Sequence, residues 1–213
     1  MAESADSTST IDPARAALRR ELRARRAALS PRERLAAAEG VAAQLEHIPE
    51  FLTDRRIAGY WAVDGELPLL ALMPGLRARG QQYHLPVLGD DRRLRFAPWR
   101  PGVEVAPNRH GIPEPACAAN QLVAPDGIDL VLVPLLGFDR RGLRLGFGGG
   151  WYDRSFDFLL GRTDVGKPLL VGVGYALQEV DAIEAMPWDV RLDYVATERE
   201  LVDLTPPVAP LAT

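Results

Sequence analysis

IDLVLVPLLGF, Ile128 to Phe138, and the glycine-rich run that follows it, RLGFGGGWYD, Arg144 to Asp153, decide the fold. The first is a continuous apolar stretch. Such a stretch fits a central strand buried on both faces, as in a parallel sheet. The second carries Gly146, Gly148, Gly149 and Gly150 ahead of a helix expected from about Trp151 to Leu160, closed by Gly161.

Outward from this pair, RIAGYWA (Arg56 to Ala62), QYHLPVL (Gln82 to Leu88), PLLVGVGY (Pro168 to Tyr175) and LDYVAT (Leu192 to Thr197) read as further strands. RLRFAPW, Arg93 to Trp99, reads as a strand in a hairpin across GDD. Asp12 and Pro13 open a first helix that places Leu18, Leu22 and Leu29 on one face. Arg15, Arg19 and Arg26 flank that stripe. SPRE starts a second helix: Ser30 caps it, Pro31 takes the first turn and Glu33 completes a capping box, with the run lasting to about His47. A third is expected from Leu67 to Arg79, kinked or split by Pro74 and Gly75. Arg100 to Asp126 has no period and reads as a long covering loop. Buried strands alternating with helices predict an α/β fold, its sheet mostly parallel and covered on both faces. One domain over 12–204 is expected, with a disordered head (1–11) and a Pro-rich disordered tail (205–213).

Composition narrows the function. At 213 residues, 47% hydrophobic and 25% charged, the chain can build an ordinary core. Its net charge of -4 disfavours non-specific nucleic-acid binding. The polar, acidic start is no secretory signal, and no apolar run is long enough for a membrane span. The expected address is the cytoplasm. The single cysteine, Cys117, forms no internal disulfide and reads as a small apolar filler. A monomer is expected, since no long exposed apolar helix is evident.

The glycine loop sits beyond the carboxyl end of a strand, where ligands of open α/β sheets bind. Its glycines let backbone N–H groups approach an anion, and a helix N-terminus follows. The same glycines also suit a plain strand-to-helix turn. Neither GxxxxGK[ST] nor GxGxxG fits, so this is not a Walker or Rossmann loop. Asp153, in the first helical turn, suits either the helix dipole or a Mg²⁺ ion beside phosphates, with Asp189 a candidate second carboxylate. Spacing alone does not join the two. Arg144, Arg15 and Arg19 suit phosphate neutralisation, or a solvated basic face. Glu66, after Asp64-Gly65, suits a polar ligand or the entrance to the next helix. Trp61 and Trp151 can stack on a heterocycle or pack in the core. His47, His84 and His110 lack metal-ligand spacing.

GFDRRGLRLGFGGGWYDR, Gly137 to Arg154, resembles the signature of the 5-formyltetrahydrofolate cyclo-ligase family. RAALR near the start, DGE after the first strand, GIPEP (Gly111 to Pro115) and LDYVATE support it in order, over about Arg15 to Glu198. The resemblance implies a three-layer α/β/α fold of the type shared with sugar-phosphate isomerases and CoA transferases. It implies ATP- and Mg²⁺-dependent closure of 5-formyltetrahydrofolate to the 5,10-methenyl form, through phosphorylation of the formyl oxygen. Arg15, Arg19 and Arg144, Leu145, Gly146, Phe147, Gly148, Gly149, Gly150, Trp151 and Tyr152 then match ATP contacts, with Arg144 the catalytic cation. Trp61, Glu66 and the run Phe147 to Trp151 match folate contacts. Asp153 and Asp189 match the Mg²⁺ carboxylates. Arg15 stands where the family commonly has Lys, Trp151 where it has Tyr, and Gly149 where some members have Lys. The partners implied are a reduced folate and ATP. A non-catalytic binding module, or another phosphate-ligand enzyme on this fold, are the competing readings.

Overall fold

The computed structural model describes residues 13–164 and 166–206. The expected disordered head, the Asp12 cap and the tail beyond 206 lie outside the described residues. Helices α1 (Pro13–Ala27), α2 (Pro31–Leu45) and α3 (Pro49–Thr53) precede β1 (Arg56–Ala58). Then come α4 (Met73–Ala78), β2 (Gln82–Leu88), β3 (Leu94–Pro98), β4 (Val105–Pro107), β5 (Pro113–Pro115) and β6 (Leu130–Pro134). β7 (Gly137–Phe138), β8 (Arg144–Leu145), α5 (Trp151–Ser155), β9 (Leu169–Val173), β10 (Tyr194–Ala196) and β11 (Leu201–Asp203) complete the chain.

Seven strands form one sheet in the order β11-β10-β9-β6-β1-β2-β3. The five inner strands are parallel, and the edges β3 and β11 are antiparallel. β6 shows why its sequence is apolar throughout. Leu130 and Leu132 face a core with Val41 and Leu45 of α2, Phe51 of α3 and Leu76 of α4. Val131 and Val133 face the opposite core, with Phe96, Phe156 and Leu192. Each such side chain contributes about 1.5–3 kcal/mol on burial. The expected mixed α/β fold with a mostly parallel sheet is therefore present.

The capping box of α2 forms as read. Ser30 Oγ accepts from the Glu33 N–H at 3.3 Å, and Glu33 Oε2 accepts from the Ser30 N–H at 2.8 Å. Among the described residues, no helix is long and apolar enough to cross a membrane.

Several boundaries differ from the sequence reading. The apolar run breaks after Pro134, and Gly137–Phe138 pairs antiparallel with Arg144–Leu145 as a separate ribbon. The helix expected over Leu67 to Arg79 is a 3₁₀ turn, Leu70–Leu72, then α4, where Pro74 lies in the first turn and starts the helix rather than kinking it. β1 stops at Ala58, where the chain leaves the ladder and Tyr60 Oη donates to the Leu67 carbonyl at 2.8 Å. The loop over Arg100 to Asp126 contains the β4–β5 hairpin. α5 ends at Ser155, with a 3₁₀ turn over Asp157–Leu159.

Candidate active site

The strand order reverses between β1 and β6. From β1 the chain moves to β2 on one side, and from β6 to β9 on the other. Loops leaving the carboxyl ends of such a pair diverge and open a crevice. Val63–Glu66 follows β1, and the glycine loop follows β6 through the β7–β8 ribbon.

Asp139 builds the ribbon. It is fully buried and accepts from the N–H groups of Arg141, Leu143 and Ile183 and from the Arg141 guanidinium. Burial pushes its carboxyl up, but the Ile183 N–H and the Arg141 bonds outweigh this and hold it below the usual range. The ribbon fixes where Arg144 and Leu145 end and the glycines begin.

In the loop, Gly148 has φ +102° and Gly150 has φ +61°, conformations a side chain would resist. A Cβ on Gly149 would lie 2.8 Å from Trp151 Cδ1. Among the described residues, none of the N–H groups of Gly146, Phe147, Gly148, Gly149 or Gly150 donates to protein. The loop thus offers a set of free donors. The five-residue α5 adds less dipole than the longer helix expected.

α1 lies alongside with Arg15, Arg19, Arg23 and Arg26, spaced for one helical face. Arg15 Nη2 donates to Asp189 Oδ2 at 2.5 Å and to the Glu184 carbonyl at 2.8 Å. Arg19 Nε donates to the Gly146 carbonyl at 2.9 Å, and its guanidinium passes 3.8 Å from where a Gly148 Cβ would sit. The Phe147 ring lies 5.4 Å from Arg23 Cζ and 5.3 Å from Arg26 Cζ.

Asp153 and Asp189, unconnected in sequence, share one corner. Asp153 Oδ1 accepts from Arg144 Nη2 at 2.6 Å and from the Val190 N–H at 3.3 Å. Asp189 Oδ2 accepts from Arg15 and from the Met186 N–H. Each carboxylate spends one oxygen on protein, and among the described residues the other oxygen has no protein donor. Two such oxygens beside a loop of free N–H groups have the chemistry Mg²⁺ takes, one or two carboxylates with the rest of its shell from other oxygens and water. Among the described residues no third His, Cys, Asp or Glu joins them. Arg144, expected as a phosphate cation, lies at the base of this corner. Its guanidinium is buried and bonded to Asp153 and to the Val190 carbonyl, so two of its donors are spent on protein.

Across the crevice, Glu66 accepts from the Val63 N–H at 2.9 Å in a turn with Asp64 and Gly65 at positive φ. Burial raises its carboxyl to about 7, against the pull of the Val63 N–H and Arg26. Tyr152 feels the charges of both Glu66 and Arg144, so the two sides of the crevice are electrostatic neighbours. Trp61 lines an apolar cavity of about 160 Å³ with Tyr60, Leu69, Met73, Tyr83 and Trp99. Trp61 and Trp99 meet edge to face at 5.7 Å. The Trp151 ring has the Arg109 and Arg154 guanidinium groups over it, their Cζ atoms 5.3 and 5.8 Å from its centroid. Trp99, with a buried Nε1 that has no acceptor, and Arg26 were not among the expected site residues. An aromatic pattern at 61 and 99 was the available signal for Trp99.

Comparison with known proteins shows the family. The family model for the 5-formyltetrahydrofolate cyclo-ligase family matches residues 11–198. The 5-formyltetrahydrofolate cyclo-ligases of Haemophilus influenzae and Escherichia coli K12 are each 31% identical to this chain. They cover 82% and 83% of it, and the matches span 92% and 96% of those proteins. The solved structure of Aquifex aeolicus 5,10-methenyltetrahydrofolate synthetase superposes with a TM-score of 0.77 at 28% identity, over 93% of this chain and 96% of that one. A synthetase from Mycoplasma pneumoniae, at 24% identity and a TM-score of 0.67, shares the fold. With a family model spanning nearly the whole chain and full-length relatives of this identity, the chain belongs to the 5-formyltetrahydrofolate cyclo-ligase family, a family of enzymes.

Proposed function

We propose that this chain closes 5-formyltetrahydrofolate to 5,10-methenyltetrahydrofolate at the expense of ATP and with Mg²⁺. The observation that carries the reading is the pairing, at one switch point, of free loop N–H groups flanked by arginines with a buried carboxylate and an aromatic cavity. One side suits a triphosphate and the other a pteridine.

In this reading the N–H groups of Gly146 to Gly150 and Arg19 hold the phosphates, and Arg15 adds positive charge from its place on Asp189. Arg144 holds Asp153 so that its outer oxygen, with that of Asp189, faces them. Mg²⁺ bound there supplies charge neutralisation on the phosphate oxygens. Glu66 and Trp61 hold the folate. The formyl oxygen attacks the γ-phosphorus and ADP leaves. N10 then attacks the formyl carbon and loses its proton, and the C–O bond breaks with release of phosphate. Every step is one of positioning and charge neutralisation, and none requires a protein nucleophile. This matches a site rich in donors and cations.

The test is the near-ultraviolet absorbance of the methenyl product, followed with 5-formyltetrahydrofolate, ATP and Mg²⁺. The expected result is growth of that band only when all three are present. A folded protein that binds folate and ATP but yields no band would replace this reading with a binding module. Turnover indifferent to ATP would point to another reaction on the same fold.

A further inference from the structure

Arg26 is 1% exposed, yet only part of its guanidinium is satisfied. Its Nη2 donates to the Asp64 carbonyl at 2.7 Å and to Asp64 Oδ2 at 3.2 Å. Its Nε and Nη1 are buried with no acceptor. Each unmet donor of a buried cation is costly, because it has lost water and gained no acceptor in exchange. Arg26 bears that cost between the two loops of the crevice. Asp64 belongs to the loop after β1, and the Phe147 ring, from the glycine loop, lies over the guanidinium at 5.3 Å. Glu66 is its strongest charged neighbour, ahead of Asp64, Tyr175 and Tyr60. Glu66 stands two residues beyond Asp64 in the turn that holds Arg26, its carboxylate tied to the Val63 N–H, so one turn carries an acceptor and meets two idle donors, near an aromatic ring that is 39% exposed. Acceptor beside donor is the complement of a cyclic amide edge, an N–H next to a C=O.

We propose that Arg26 is a substrate-binding residue whose Nε and Nη1 donate to the ring carbonyl oxygen of a reduced pteridine, while Glu66 accepts from the adjoining ring N–H. The assignment rests on the folate reading above and deepens it. It gives the crevice a reason to keep an incompletely bonded arginine, since the ligand completes it. It also gives Phe147 two neighbours, the guanidinium and the ring plane of the ligand.

The experiment is a tryptophan-fluorescence titration with 5-formyltetrahydrofolate, which needs no turnover, on the unaltered protein and on Arg26→Met, Arg26→Lys and Asp64→Gly. Arg26→Met is expected to weaken folate binding about 10- to 100-fold, the usual worth of a hydrogen bond to a charged group. Its KM for ATP should stay within about threefold, because no uncompensated charge is left at the phosphates. Arg26→Lys should recover part of the affinity, since an ammonium keeps the charge but not the planar fork. Asp64→Gly keeps the left-handed turn and removes the Asp64 carboxylate partner of Arg26, and should bind folate nearly as the parent does. The acid limb of the pH profile should rise in Arg26→Met. Glu66 would lose its cation and keep Asp64, the Val63 N–H and the phenols of Tyr60 and Tyr152 as neighbours.

Folate binding left unchanged by Arg26→Met overturns the assignment. So does Asp64→Gly as damaging as Arg26→Met, which would mark Arg26 as a structural tie. If Arg26→Met does not fold, Arg26→Lys decides: weakened folate binding with intact ATP binding supports the assignment, and unchanged binding overturns it. Failure of the unaltered protein to bind folate would instead remove the folate reading and this assignment together.

Discussion

Arg144 Nη2 and Asp153 Oδ1 are 2.6 Å apart, and the Val190 N–H reaches the same oxygen at 3.3 Å. Asp153 is thereby held from both sides of the chain, by the strand before the glycine loop and by the residue after Asp189. One oxygen is committed to orientation, and among the described residues the other has no protein donor. The pair converts two carboxylates far apart in sequence into one corner of a site.

Asp153→Asn keeps the shape and removes the charge. It should raise the Mg²⁺ concentration needed for half-maximal activity by about tenfold or more, since Mg²⁺ prefers anionic oxygen ligands and dehydrates reluctantly. A Mg²⁺ titration at saturating ATP measures this. An unchanged midpoint would remove Asp153 from the metal site.

Arg144→Lys tests positioning against direct phosphate contact. A lysine cannot reach Asp153 and the Val190 carbonyl together in one planar fork. If Arg144 acts through Asp153, the variant should shift the Mg²⁺ midpoint in the same direction as Asp153→Asn, and the double variant should be little worse than either single one. Additive losses in kcat, with no change in Mg²⁺ dependence, would return Arg144 to direct contact with phosphate.

Arg19→Ala should raise the KM for ATP about 10- to 100-fold, because it removes a charged donor lying along the loop proposed to cradle the phosphates. Folate affinity, read by fluorescence, should change little. A folate defect equal to the ATP defect would show that Arg19 instead shapes the loop through its bond to the Gly146 carbonyl.

Asp139→Ala should destabilise the protein by about 3 kcal/mol or more. It strips a fully buried acceptor from three N–H groups and leaves them unpaired. Chemical denaturation gives the value. A loss below about 1 kcal/mol would mean that water replaces the carboxylate without cost. Asp139 lies in the GFD part of the family signature, yet its partners place it in the architecture of the loop.

The inner strands were legible in the sequence because burial on both faces leaves no polar residue to break the run, as in Leu130–Pro134. The capping box at Ser30 and Glu33 was legible because both of its bonds are local. Other features depend on long-range geometry. Phe138 was read as part of the central strand, since apolarity continues through it, but its partner is Arg144 rather than a sheet strand. Pro74 marks a helix break in sequence, and only its place in the first turn shows that it marks a start. Asp153 and Asp189 meet through Val190, a contact that spacing does not encode. Arg26 read as an arginine flanking the apolar stripe of the first helix, and its burial is visible only once the Asp64 turn covers it.

Glu66 links pH to both function and stability. Its carboxyl titrates near 7 in the folded protein because burial penalises the charged form, against an ordinary value of 4.5. The folded state thus binds the Glu66 proton more tightly than the unfolded state does. The stability contributed by this group is full below about pH 4.5 and is lost progressively as pH rises through about 7. Activity should run the other way. A carboxylate that accepts from a ring N–H must be ionised, so kcat/KM for folate should climb through about pH 7 in the unaltered protein. Glu66→Gln should flatten that climb, lower kcat/KM, and raise the melting temperature at pH 8 relative to pH 5 when each is compared with the parent. Parallel pH series of initial rates and thermal melts measure both. A rate profile unchanged by Glu66→Gln would place the limb on another group. A melting difference that does not grow with pH would show that Glu66 is already charged when the protein folds.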